Sequence, residues 1–85
     1  MDPSNQVAEF VKQWFVTETG RSSEDLERQL DVNYFVEKWV DSFKFISFVS
    51  VAETRFDFRF TNEDFQDEDF GTIRGLIGTI ERHLA

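Results

Sequence analysis

The residues best placed to do chemistry are Asp41 and Ser42, which open the apolar run Phe43-Lys44-Phe45-Ile46-Ser47-Phe48-Val49. Phe45, Phe48, Val49, Ala52 and Phe56 recur at spacings of three and four, so they share one face of a helix. Asp41 or Ser42 then stands at its start. Either suits an N-cap, where a side-chain oxygen accepts from the free amides of the first turn. A serine hydroxyl there is also a good place to carry a phosphate, because the amides and the positive end of the helix dipole favour an anion.

Other chemistries lack their residues. With no cysteine there is no disulfide framework, thiolate metal site or thiol nucleophile. The single histidine, His83, reads as an exposed terminal residue, which leaves no histidine triad or cluster. The acidic run around Asp67-Glu68-Asp69 lacks the alternating ligands and the glycine of a calcium loop, and reads as a solvated face. No nucleophile–base pair and no cleft for a carboxylate dyad is evident, so the chain is not expected to be an enzyme.

The elements that position Asp41 and Ser42 follow from periodicity. A first helix is expected over about 4–17, with Ser4 as cap and Val7, Phe10, Val11, Trp14 and Phe15 as its stripe. Gly20 closes it in the left-handed conformation common after helices. Residues 21–40 read as a long loop holding at most a single turn near Ser22–Asp25. Leu26 and Leu30 point inward, and Leu30, Phe35 and Val40 are its buried anchors. Trp39 reads as a loop anchor that could also meet partners. The second helix is Ser42 to about Phe56. Phe56-Asp57-Phe58-Arg59-Phe60 alternates like a strand, but no second strand is evident to pair with it. Thr61 caps a short helix at 62–66, with Asp64 three residues on. The last helix is Thr72 to about Leu84, with Ile73, Leu76, Ile77, Ile80 and Leu84 facing inward. Gly75 and Gly78 weaken it by propensity but permit close packing. The fold expected over 1–85 is one all-α domain, a small four-helix bundle with a long loop between its first two helices and a short third helix.

Eighty-five residues support a single modest core, and the eleven phenylalanines and two tryptophans make it aromatic. A net charge of −8 disfavours nucleic acid and anionic membrane and favours partners with basic patches. No run is long enough to span a membrane, and the N-terminus lacks the pattern of a signal peptide. A cytoplasmic monomer is the expectation.

In this order of elements, Asp41-Ser42-Phe43, then Phe56, Phe60, Asn62-Glu63-Asp64-Phe65 and Phe70-Gly71-Thr72-Ile73 resemble the acyl carrier protein family. The match runs from about Leu30 to Leu84, and the first helix matches by pattern. The resemblance implies that a phosphopantetheinyl transferase attaches 4'-phosphopantetheine to Ser42, with Asp41 helping the transferase dock. It implies a carrier of acyl or aminoacyl thioesters, served by loading and transferring enzymes with basic docking patches. Phe43, Lys44, Ser47, Ser50, Glu53 and Trp39 would be the partner-binding residues. Lys44 stands where carriers usually have an acid. Of the exposed positions Ser47, Ser50, Glu53, Thr54 and Arg55, only Glu53 is acidic. These departures point to a specialised carrier of a lipid, polyketide or dedicated pathway rather than the housekeeping fatty-acid carrier. Crowding by Phe45, Phe48, Phe56, Phe60 and Phe65 implies short or polar cargo, or cargo left in solvent. The rival expectation is an acidic helical interaction module that carries nothing.

Overall fold

The computed structural model describes residues 3–85, with side chains from Gln6 onward. Among these, the chain forms five α-helices and one 3₁₀ turn, with no strand. They are α1 (Pro3–Thr19), α2 (Ser23–Arg28), α3 (Ser42–Phe56), α4 (Asn62–Gln66), the 3₁₀ turn Glu68–Gly71 and α5 (Ile73–Leu84).

Local side chains explain most of these boundaries. Ser22 caps α2, accepting from the Asp25 N–H. Thr61 and Asp64 make a reciprocal capping box at α4, and Thr72 accepts from the Gly75 N–H at α5. Gly20 ends α1 with φ 75°, donating its N–H to the Val16 carbonyl. Helix α1 already runs from Pro3, so Ser4 lies in its first turn rather than before it; its side chain is outside the described residues.

The core is a meeting of helix stripes. Val7, Val11 and Phe15 of α1, Phe45, Phe48 and Ala52 of α3, and Ile73, Leu76 and Ile80 of α5 are buried, with Tyr34 and Leu26 between them. The α1 stripe is rotated from expectation. Val7, Val11 and Phe15, four apart, lie deepest, while Phe10 and Trp14 are half-buried at its edge. Phe48 is the hub, with the rings of Phe10, Trp14, Phe15 and Phe45 at 5.0–6.2 Å. Leu84, expected to face inward, is exposed at the end of α5. The stretch after α3 is irregular, with Phe60 buried as its anchor. The two glycines of α5 differ. A Cβ on Gly75 would overlap the Asp69 carbonyl, so α5 needs glycine to sit against the 3₁₀ turn. Gly78 faces open space.

The expected long loop departs from expectation in two ways. It contains the full short helix α2, which buries Leu26 and is tied to α1 by Lys12–Glu27. The remainder is an ordered chain of turns pinned across the fold. Asn33 forms an isolated bridge to Thr72, Tyr34 donates its N–H to the Gly71 carbonyl, and Arg74 pairs with Asp31 at 2.7 Å. The Tyr34 hydroxyl donates to the Phe70 carbonyl in the interior. Tyr34 thus takes the buried place assigned to its neighbour: Phe35 stays 40% exposed, and Leu30 is half-buried. Val40 is buried as expected.

Candidate functional site

The pinned loop delivers Asp41 and Ser42 to the head of α3. The Trp39 N–H donates to the Tyr34 carbonyl at 2.9 Å, which closes the turn before them. Lys38 sits in that turn with φ 61°, a left-handed conformation that costs a non-glycine residue free energy.

Of the two cap candidates, Asp41 does the capping. Its carboxylate accepts from the Lys44 N–H at 2.8 Å, and its backbone is extended. Ser42 is the first residue of the helix, is exposed, and its hydroxyl has no hydrogen-bond partner among the described residues. The helix therefore presents a free hydroxyl at the positive end of its dipole. Phe35, Lys38, Trp39, Val40, Asp41, Ser42 and Lys44 line one open groove. Lys38 and Lys44 are exposed, and neither has an ion-pair partner among the described residues.

The other residues singled out in the sequence scatter along and beside α3. Phe43, Lys44, Ser47 and Ser50 are exposed. Glu53 is half-buried, and its Oε2 accepts from the Phe60 N–H at 2.8 Å, so it holds the following loop rather than facing solvent. Trp39 is buried, with the Arg21 guanidinium 4.3 Å over its ring, and forms the wall of the groove rather than its rim. Of the phenylalanines expected to crowd the space beside the short helix, Phe45 and Phe60 are buried and meet Phe70 at 5.4 and 5.3 Å. Phe65 covers Phe70 from outside, half exposed. Phe48 and Phe56 instead face Phe10 of α1.

Two residues matter beyond expectation. Ile46 is among the most exposed apolar side chains and stands one turn beyond Phe43; its spacing, off the buried stripe, was the available signal. His83 is not a bystander. Its Nε2 lies 2.7 Å from Asp64 Oδ2, and its ring packs on Phe58 and Phe60. Burial pushes the Asp64 carboxyl up. Hydrogen bonds from the Thr61 N–H and from His83 outweigh it and hold the group below its usual range.

No group of three or more His, Cys, Asp and Glu that could hold a metal ion occurs among the described residues. No helix there is long and apolar enough to cross a membrane. Set against known proteins, the chain matches no family model, no curated protein and no solved structure.

Proposed function

We propose that the chain is a carrier of the acyl carrier type, with Ser42 as the attachment point for 4'-phosphopantetheine. The observation that supports it most is the free Ser42 hydroxyl: exposed, without a partner, and relieved of capping by Asp41. In this reading α1, α3, α4 and α5 are the four helices of the carrier, and α2 is a short insertion in its first loop.

The residues at hand suit the group. Ser42 offers an oxygen for a phosphodiester, the first turn of α3 favours the anion, and Lys38 and Lys44 put positive charge on the same groove. When bound, the group supplies the thiol that this cysteine-free chain lacks and carries acyl or aminoacyl cargo as a thioester. The chain's own part is mechanical. Asp41 holds the first helical turn, the loop pinned through Tyr34 fixes its position, and α3 presents Ser42 from a rigid base. Partners are the transferase and the enzymes that load and unload the arm. The rings of Phe45, Phe60 and Phe70 fill the space beside α4, which favours cargo that is short, polar or left in solvent.

Intact mass decides the proposal. The chain and Ser42→Ala are incubated with coenzyme A and a promiscuous phosphopantetheinyl transferase, with a known carrier labelled in parallel. A gain of one phosphopantetheinyl group on the wild type alone is the expected result. A folded chain that stays unlabelled beside a labelled control refutes it and leaves an interaction module that carries nothing.

A further inference from the structure

Charge is divided between faces of this molecule. Glu63, Asp67, Glu68 and Asp69 are all exposed along α4 and the 3₁₀ turn. The outward face of α3 has no such acid. Its only carboxylate, Glu53, is engaged by the Phe60 N–H, and the exposed charges from Ser42 to Phe56 are Lys44 and Arg55. Lys38 adds a third cation beside Ser42, and the one carboxylate lining that groove, Asp41, is engaged as the cap by the Lys44 N–H.

The same face is apolar where it is most prominent. Phe43 is 83% exposed and Ile46 67%, and a spacing of three puts them side by side on the helix. Val36, on the loop before them, is 73% exposed. Large apolar groups this exposed, set together beside cations, mark a contact surface rather than scattered surface residues.

We infer that this face docks a protein surface that is apolar at its centre and edged with carboxylates. That is the opposite of the basic patch favoured by the net charge of −8. A two-fold contact with a second copy does not fit the role, because it sets this face against the same face, which brings no row of carboxylates to Lys38 and Lys44. An anionic lipid surface matches the lysines but must overcome the charge of the whole chain. The inference stands on the unmodified face. Joined to the proposal above, on which only this consequence rests, it means that enzymes reaching Ser42 approach over Phe43 and Ile46.

The test uses the unmodified chain, so it is independent of whether Ser42 accepts the arm. Two synthetic amphipathic helical peptides share one leucine face; one is edged with glutamate and the other with lysine. Each is titrated into the isotope-labelled chain and followed by amide chemical shifts. The glutamate-edged peptide is expected to move the signals of Phe43 to Ser47. Its dissociation constant should rise about tenfold in Ile46→Ser and in Lys44→Glu, and with added salt. Both positions are exposed, so thermal unfolding of the variants should match the wild type. The inference is overturned by tighter binding of the lysine-edged peptide to α3, by no shift from the glutamate-edged peptide, or by indifference to Lys44→Glu. Uptake by phosphatidylglycerol vesicles with no response to the peptide, or a dimer lost in Ile46→Ser, overturns it equally.

Discussion

Asp64 and His83 form a clasp between α4 and α5 whose worth can be worked out. Helix α4 has five residues, too few to hold together by its own hydrogen bonds. Asp64 supports it twice: Oδ2 meets His83 Nε2 at 2.7 Å and accepts from the Thr61 N–H at 2.8 Å. The side chains of His83 and Asp64 are only 25% and 13% exposed, so the pair is less screened than a surface ion pair. A lost capping contact costs about 1 kcal/mol, and a hydrogen bond to a charged group is worth about as much again. Asp64→Ala should therefore cost about 2 kcal/mol, a fall in Tm of about 10 °C for a domain this small. Asp64→Asn keeps an acceptor for the Thr61 N–H and should cost about half as much. In a double-mutant cycle with His83→Gln, the coupling should be about 1 kcal/mol. The pH dependence has a fixed sign. The Asp64 carboxyl is held below its usual value of 3.8 in the folded chain, so the folded state binds fewer protons there than the unfolded chain. Its contribution is complete above 3.8 and disappears as pH falls through the lowered folded value. Urea unfolding of wild type and Asp64→Asn, from neutral pH down through the carboxylate range, should show a gap that closes on the acid side. A gap that persists unchanged into acid, or a coupling near zero, refutes the clasp.

Other substitutions test other parts of the fold. Asp41→Ala should cost about 1 kcal/mol and Ser42→Ala close to nothing by thermal unfolding, because only Asp41 caps α3. Gly75→Ala should destabilise by several kcal/mol, because a Cβ meets the Asp69 backbone. Gly78→Ala should stabilise by about 0.5–1 kcal/mol, because it only improves helix propensity. Burial raises the Tyr34 phenol well above its usual 10.0, so the neutral form is the one the fold holds. Its contribution is full below 10.0 and is lost at higher pH. The ultraviolet titration of this single tyrosine should therefore coincide with alkaline unfolding rather than precede it.

Helices α1, α3, α4 and α5 were legible in the sequence because their signals are local. Asp41, the Thr61–Asp64 box and Thr72 announce α3, α4 and α5 within a few residues of where each begins. The loop before Ser42 was not legible, because its order comes from distant partners. Tyr34 reaches Phe70 across 36 positions, and Asp31 reaches Arg74 across 43. No local pattern distinguishes Tyr34 from Phe35 as the residue that goes inside. What decides is the Phe70 carbonyl, which a tyrosine hydroxyl can satisfy and a phenylalanine cannot. The role of His83 was hidden for the same reason, since its carboxylate partner lies 19 residues away. At the candidate site, the pair Asp41-Ser42 could be read from sequence, but the division of labour between them could not. Both types cap helices well, and the choice turns on where the pinned loop releases the chain.

That division gives the site its character. Had Ser42 been the cap, its hydroxyl would be tied to the first-turn amides, and any ester at that oxygen would disturb the start of the helix. With the Asp41 carboxylate in that place, the first turn keeps its acceptor whatever happens to the serine. The carboxylate also brings negative charge to the same helix end, which opposes a second anion there. Lys38 and Lys44 offset it from the groove they share with Ser42. The strained backbone at Lys38 is consistent with this, because a glycine would relieve the strain and lose the charge. An anion at Ser42 is therefore compatible with the intact helix on both counts, hydrogen bonding and charge. A helix capped by its own serine would offer neither.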